Sequence, residues 1–390
     1  MKKSKVAIIG AGCSGLLLAN LLANEPVDVF VFEKNNKLGK KILASGNGKC
    51  NFTNSNSFEN KYNNQFANQI INRFSVNKTL EVFASMGLLY KSDTQGRCYP
   101  LSESAVSVLD CLKLNLNKTH ILVEKEIMDI IKMDEGYLVK GNEINEVFDY
   151  VVCCSGSAAS NLGSLKAYQY LKTLDLKINK LKSSLTPVKV KENVKQLKGL
   201  RVKCLAKLVS DDGGIVYEEN GEVLFKEDSL SGIAIFNISS FINREKQNYK
   251  IKLDLSAGMN DEELLTYFQN KKKNVNAIFK GYLNDKLGEY ILNKNNIRFI
   301  DDTSLGKIIE DIKNLTFEVT GVYPLEDGQV CAGGISLDEV NSNLELIRYK
   351  NVYVAGELLD VDGVSGGYNM QFAWSCAGVI AEDIKSKIKQ

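Results

Sequence analysis

Histidine is almost missing from this chain: a single one, His120, in 390 residues. A histidine-rich metal centre is therefore excluded, and a Ser-His-Asp triad would rest on that one residue. His120 stands in THILVEKEI beside a predicted strand, where a surface or core role accounts for it. Paired cysteines are lacking too. Nine cysteines, an odd number without a C-x-x-C pair, fit reduced thiols in the cytosol rather than a disulfide framework. Cys153 and Cys154 are neighbours in a predicted strand, so their side chains point to opposite faces as packing residues. Charge of one sign is also scarce. A net charge of +2 gives no reason to expect nucleic acid or an acidic surface as partner. No apolar run is long enough to cross a bilayer. The start, MKKSKVAIIGAGCSGLLLANLLA, imitates an export signal, but three glycines interrupt its apolar run and an acid closes the next strand. The expectation is a cytoplasmic protein with no membrane partner and a small-molecule substrate; its oligomeric state is left open.

The chain is long enough for two or three domains, and its 44% hydrophobic and 25% charged residues are those of a globular protein. Val6 to Gly10 reads as a short buried strand, followed by the turn Gly10-Ala11-Gly12-Cys13-Ser14-Gly15 and a helix to about Asn24. VDVFVFEK is then a second strand ending at Glu33, 18 positions after Gly15. That is a β-turn-α-β unit with an acid in register for a dinucleotide. Gly10 permits the tight turn, Gly12 lets backbone approach a diphosphate, Gly15 lets helix and strand pack closely, and Glu33 accepts hydrogen bonds from a ribose diol. The loop KLGKKILASGNGKCNFTN follows, with Lys40, Lys41, Lys49 and many backbone N–H groups suited to a diphosphate.

Further on, a helix is predicted from Glu103 to about Asn117, and HILVEKEIMDIIKMDEGYLVKG reads as two strands turning at Asp134-Glu135-Gly136. DYVVCCSG is a strand ending in a small-residue turn at Gly156. From about Leu185 to Ser256 apolar and polar residues alternate between Asp-Asp-Gly-Gly and Asn-Gly turns, the pattern of antiparallel sheet. Helical spacing occupies Asp261 to about Asn314, and KNVYVAGELLD is one more buried strand. The fold class expected is α/β: a split Rossmann-like domain (1–184 and 317–390), an inserted antiparallel, barrel-like β domain (185–256) and a small helical subdomain (257–316).

A second glycine turn enters a helix near the C-terminus, at GVSGGYNMQFAW. A nicotinamide dehydrogenase needs one such turn, whereas FAD is long and its ring end needs separate support. A positive helix end aimed at the pyrimidine edge stabilises the charge that reduction leaves around N1 and the C2 oxygen. The two turns thus suit opposite ends of one FAD.

The chain resembles the YhiN/BaiN-like flavoproteins, bacterial NAD(P)/FAD-dependent oxidoreductases. The resemblance rests on VAIIGAGCSGLLLA, GKKILASGNGKCNFTN, GRCYP, AGELLDVDGVSGGYNMQFAW and the insert segment GEVLFKEDSLSG. It implies FAD contacts from Gly10, Gly12, Ser14, Gly15, Glu33, Lys34 and Lys41, and from the Gly46 to Asn51 loop. It implies Ile127 at the adenine, Gly356 and Glu357 along the ribityl chain, and Tyr368, Asn369 and Met370 at the ring. We add Gly156, in the turn after DYVVCC, to the expected cofactor contacts. Departures are Lys40 and Lys49 where the family usually has arginine, SAASNLGSLKAYQYLK after Gly156, and Cys98 within GRCYP, so the acceptor can differ even where the flavin site does not.

The expected activity is an FAD-dependent oxidoreductase in which NADH or NADPH reduces a small organic acceptor, such as a conjugated carbonyl. No second G-x-G-x-x-G exists, so the nicotinamide donor must approach the flavin directly. The proton donor must come from Tyr, Cys, Lys, a carboxyl or water: Tyr368 is the nearest by motif, Cys50 the next, and Arg97 a candidate anchor for an anion or carbonyl. The alternatives are a flavin amine oxidase using oxygen and a non-catalytic flavin redox sensor, in which lysines lower the pKa of Cys50.

Overall fold

The computed structural model describes residues 3–244, 247–271 and 275–389. They form two compact units, 1–182 with 325–390, and 183–324.

The first unit begins with strand β1 (Ser4–Ile9), helix α1 (Cys13–Leu22) and strand β2 (Val27–Glu33). A short helix α2 (Lys40–Ala44), strand β3 (Thr53–Asn54), helices α3 (Gln65–Arg73) and α4 (Val76–Ser85), and strands β4 (Tyr90–Ser92) and β5 (Arg97–Pro100) come next. Asn64 and Ser75 cap α3 and α4 by accepting backbone N–H bonds. Helix α5 (Ala105–Leu114) is shorter at both ends than its apolar spacing predicts. Strands β6 (His120–Val123), β7 (Ile127–Lys132), β8 (Tyr137–Gly141), β9 (Ile144–Phe148) and β10 (Tyr150–Cys153) follow. The segment read as two strands thus holds three, β6, β7 and β8, and β9 completes an antiparallel meander of β7, β8 and β9. His120 stacks on Phe30 at 4.4 Å.

The second unit follows β11 (Ile178–Ser184), whose last two residues open it. Its strands are β12 (Val188–Val190), β13 (Arg201–Ser210), β14 (Ile215–Phe225) and β15 (Ser229–Ser231); after helix α6 (Ile233–Ile242) comes β16 (Tyr249–Asp254). Helices α7 (Asp261–Gln269), α8 (Asp285–Lys294) and α9 (Asp302–Asn314) precede β17 (Leu315–Val322). The six strands close an antiparallel barrel in the order β12-β15-β14-β13-β16-β17. Along β13, Cys204, Ala206 and Leu208 point into its core while Lys203 and Lys207 alternate outward. The segment read as a separate helical part packs on this same core through Leu264, Phe268, Ile291, Leu305 and Ile308. Because β17 closes the barrel, the chain returns to the first unit at 325 rather than at 317.

After the return come β18 (Val330–Ile335), which pairs with β11, then β19 (Val352–Val354) and the 21-residue helix α10 (Tyr368–Ile388). The main sheet of the first unit has the order β19-β10-β1-β2-β6, all parallel. β1, β10 and β19 read as continuous apolar runs because helices or loops cover both faces. The chain leaves β1 toward β2 on one side, and β10 joins β1 on the other. Ligands in such sheets bind at the carboxyl ends of the strands, at that reversal. The Gly10 to Gly15 turn stands there.

Candidate functional site

Each glycine of the first turn meets a different constraint. Gly10 has φ +108°, and a Cβ there would lie 2.5 Å from the Cys154 carbonyl oxygen at the end of β10. A Cβ on Gly15 would lie 2.0 Å from the Gly10 carbonyl oxygen, so this glycine is required by the packing of α1 on its own turn. Gly12 is the opposite case: a Cβ there would meet nothing within 4 Å. It caps α1, whose first-turn N–H groups lack intrahelical partners. Open space above a helix N-terminus, bounded by backbone alone, suits a diphosphate.

The acid at the end of β2 is held in place. Glu33 Oε2 accepts the Ala11 N–H at 3.1 Å, and Oε1 accepts the Asn35 backbone and side-chain amides at 2.9 and 2.6 Å. A carboxylate has about four lone-pair sites, so room remains for one further donor. Lys34 beside it is exposed. The Lys125 N–H donates to the Glu33 carbonyl, and Ile127, buried, opens β7 two residues on. Ile127 and Glu33 are thus drawn to the same end of the sheet.

The loop after α2 is built from left-handed residues: Gly46 (φ 55°), Asn47 (54°), Gly48 (82°) and Cys50 (57°). Such turns expose successive N–H groups to one side. Of the three expected cations only Lys41 points inward. Its Nζ donates to Glu357 Oε2 at 3.0 Å and to the Ser157 carbonyl and hydroxyl at 3.3 Å. A Cβ on Gly156 (φ +71°) would have only that Nζ within 4 Å. Lys40 is tied to the Asn35 side chain, and Lys49 is paired with Glu103, which also takes Lys91. The expectation that Lys40 and Lys49 face a diphosphate is therefore corrected: each ammonium is engaged elsewhere.

At the second turn, α1 and α10 come into contact. Ser14 Oγ donates to the Ala373 carbonyl at 2.9 Å, and a Cβ on Gly356 (φ +63°) would lie 2.8 Å from that Oγ. Ser14 and Gly356 hence lock the two helices together. Glu357 turns its other oxygen to the Cys331 N–H at 3.2 Å. Gly366 and Gly367 have φ of +125° and +95°. Asn54 Nδ2 donates to the Gly366 carbonyl at 2.8 Å. A Cβ on Gly367 would lie 2.6 Å from the Thr53 carbonyl oxygen and 2.8 Å from Asn51 Oδ1. Asn51 Oδ1 is buried and, among the described residues, accepts no hydrogen bond.

Behind this turn Gln371, fully buried, bonds Thr53, Thr79 and Ser375, and Trp374 donates to the Phe52 carbonyl. The helix end is thereby fixed against β3 and α4.

The remaining expected ring residues separate in role. Tyr368, buried, begins α10, and Tyr62 donates to its carbonyl at 2.6 Å. Asn369 does not offer its side chain: Oδ1 takes the Gly363 N–H and Nδ2 donates to the Gly363 carbonyl, both at 2.8 Å. Only its backbone N–H, in the first turn of α10, is left for a ligand. Met370 Sδ lies 4.0 Å from Cys50 Sγ. Burial pushes the Cys50 thiol up to about 11, against a bond from Ser45 that lowers it. The supposed activation by loop lysines is overturned, and the thiol stays protonated at neutral pH. Burial, then the neighbouring Cys50 and Glu357, also raise the Cys13 thiol, despite Lys41. Arg97 lies on β5 opposite Asn54, and its Nε donates to Asp93 at 2.7 Å.

FAD fits these residues. The space at Gly12 and Gly156 has room for phosphate oxygens, Glu33 retains acceptor capacity that a ribose could use, and the buried Asn51 Oδ1, without a donor among the described residues, could accept a ring N–H. Phe58, Lys61, Tyr62 and Asn54, to which the sequence points less directly, cluster around Tyr368 and Gly366 at the second turn. Asn54 closes the long loop motif, which was its one available signal; the aromatic pair Phe58 and Tyr62, spaced by four, was legible only as surface. Among the described residues no group of three or more His, Cys, Asp or Glu could hold a metal, and no helix is long and apolar enough to cross a membrane.

The family profile described as "HI0933-like protein Rossmann domain" matches residues 4–383. A Clostridium scindens protein named 3-dehydro-bile acid delta(4,6)-reductase is 30% identical, over 95% of this chain and 97% of its own length. Two proteins named ribosomal RNA dihydrouridine synthase are also similar. That of Escherichia coli is 26% identical and that of Haemophilus influenzae 27%, each over 98% of both chains.

Proposed function

We propose a reaction from the premise that this chain belongs to the HI0933-like family. It is an FAD-dependent oxidoreductase. Our reading is that NADH or NADPH supplies hydride, and that a small organic acceptor with a carbon–carbon double bond conjugated to a carbonyl receives it. The supporting observation is the meeting of two glycine turns in one compact unit, joined at Ser14, Gly356 and Ala373. FAD, when bound, carries the electron pair from donor to acceptor.

The chain's own groups have distinct tasks. Gly12 and Gly156 keep space for phosphate, and Lys41 sets a positive charge between Ser157 and Glu357. The N-terminus of α10, at Tyr368, would stabilise the negative charge that reduction leaves on a ring held there. A conjugated enone takes hydride at its far carbon, the charge moves to the carbonyl oxygen, and a proton then completes the adjacent carbon. We assign that proton to Tyr368 and the carbonyl oxygen to Arg97, whose guanidinium is oriented by Asp93. Cys50, neutral and buried, fills space beside Met370.

The name of the Clostridium scindens relative, a reductase of delta(4,6) double bonds in a 3-dehydro acid, supports this acceptor class. Anaerobic mixing with NADPH and with NADH tests it. Loss of visible flavin absorbance with either, and its return on adding a conjugated ketone, is the expected outcome. No bleaching by either nucleotide removes the nicotinamide donor, and bleaching by an amine with reoxidation by oxygen favours the oxidase instead.

A second reading is favoured by the two relatives named for rRNA dihydrouridine: the acceptor is a uracil base in RNA. The net charge of +2 offers little overall attraction to phosphate. Formation of dihydrouridine in RNA incubated with the FAD-loaded enzyme and NADPH would decide for it.

A further inference from the structure

The small sheet next to the Gly46 to Asn51 loop has an open edge. Its order is β3-β5-β4, so β4 has a neighbour on one side only, and all three of its residues are exposed. Backbone hydrogen bonds alternate along an antiparallel pair. The Leu101 N–H donates to the Leu89 carbonyl and the Asp93 N–H to the Arg97 carbonyl, so Leu89, Lys91 and Asp93 turn their backbone groups toward β5. Tyr90 and Ser92 turn theirs away. Tyr90 stands opposite Pro100, which has no N–H to exchange. Among the described residues, the outward N–H and C=O groups of Tyr90 and Ser92 meet no partner.

Apolar surface flanks this edge. Leu89 and Leu101, cross-strand neighbours on one face, are 71% and 55% exposed, and Tyr90, on the other face, is 40% exposed. Val106, 52% exposed, lies in the first turn of α5 just beyond, and the Ser102 and Ser107 hydroxyls, 2.7 Å apart, hold the intervening turn closed. The four residues leave roughly 400 Å² uncovered, the size of patch that marks an interaction site, and half of the ~800 Å² per partner in a standard interface. Charge does not defend the edge. A lysine on an edge strand ordinarily keeps other strands away. Here Lys91 and Lys49 both pair with Glu103 of their own chain, and Asp93 pairs with Arg97.

We propose that this edge takes a second copy of the chain, β4 pairing antiparallel with β4 of the partner about a two-fold axis. One patch then serves both copies, as a closed symmetric dimer requires. Charge and burial select the register. An axis through Lys91 sets two lysines opposite each other, which is unfavourable. An axis through Ser92 carries the two leucine pairs apart. An axis through Tyr90 satisfies the outward groups of both tyrosines and sets Leu89 against the aliphatic stem of Lys91 of the partner subunit. The net charge of +2 leaves little repulsion between copies. Arg97 lies on the adjacent strand β5 and Asn54 on β3, so the dimer braces the small sheet that carries both. It does not depend on the reaction proposed above.

Sedimentation velocity of the purified full-length protein, across micromolar concentrations, is expected to give twice the chain mass. Leu89→Lys combined with Leu101→Lys should raise the dimer Kd about a hundredfold or more, while melting and FAD uptake stay as in the wild type, since neither side chain is in the core. In Tyr90→Cys, oxidation with diamide should link two chains, because the axis brings the two sulfurs within disulfide reach. Phe299→Cys, equally exposed in the other unit, should not link. A wild type that stays at one chain mass, or a dimer untouched by the two lysines, overturns the proposal. So does a dimer that the lysines dissociate but that Tyr90→Cys fails to link, since the strands then do not pair at that axis. Should the double variant fail to fold, linkage in Tyr90→Cys alone decides.

Discussion

One methyl group on Gly12 separates the cofactor role of the first turn from its structural role. Gly12 has φ −92° and ψ −159°, an extended conformation open to alanine, and a Cβ there meets nothing within 4 Å. Gly12→Ala is therefore expected to leave the apoprotein within about 1 kcal/mol of the wild type, the difference between alanine and glycine at a helix cap. The same change at Gly15 forces a carbon to 2.0 Å from the Gly10 carbonyl oxygen and 3.2 Å from Ile8 Cγ2. Neither backbone nor strand can yield there, so Gly15→Ala costs about 3 kcal/mol or more. Binding distinguishes Gly12→Ala from the wild type. The methyl occupies space through which backbone N–H groups reach a phosphate, and each such charge-assisted bond is worth about 1.5–3 kcal/mol. FAD affinity should fall about tenfold to a hundredfold for each bond lost. Thermal melts of the apoproteins, with fluorescence titration of FAD into each, measure both quantities. A Gly12→Ala protein as destabilised as Gly15→Ala, or one that binds FAD like the wild type, would refute the assignment of that space to a diphosphate.

Asn51→Ala removes a buried acceptor that has no donor, so the apoprotein should lose less than about 1 kcal/mol while FAD binds about tenfold more weakly. Titration with FAD and with a flavin methylated at N3 checks this: the wild type should discriminate between them, and the variant should not. Gln371→Leu strands the Thr53 hydroxyl in a buried site and removes the donor to Thr79 and to Ser375, which still donates to the Phe74 carbonyl, and about 2–4 kcal/mol of stability should be lost in denaturant unfolding. Burial raises the Cys50 thiol from 9.0 to about 11, so its neutral form is favoured in the folded state. Its contribution is complete below about pH 9 and is lost as pH rises through 11, an effect of about 2–3 kcal/mol. Unfolding free energies of wild type and Cys50→Ser across that window should diverge by this amount, and parallel curves would contradict the burial argument.

How legible was the site before folding? The Gly10 to Gly15 turn and Glu33 were readable because each residue type serves a local need: a positive φ, a close helix contact, an acid at a strand end. The alternation of β13 and β14 announced antiparallel sheet, and the closed barrel shows it. What the sequence could not carry were partners distant along the chain. Nothing local tells that Lys49 goes to Glu103 while Lys41 reaches Glu357, since both are lysines in one loop. The family resemblance implied Asn369 at the ring, and nothing local tells that its side chain clasps Gly363 and leaves only the backbone N–H to a ligand. The span of β17 was also hidden: strand propensity at 315–322 does not say whether the strand completes the barrel or the parallel sheet.

The central claim, that two turns hold opposite ends of one FAD, is tested most directly by titrating purified apoprotein with FAD and recording the visible spectrum after removing the excess. The account predicts a yellow protein with flavin bands and one FAD per chain, with binding weakened in both Gly12→Ala and Asn51→Ala. A protein that stays colourless, or whose FAD uptake is indifferent to both substitutions, would contradict it.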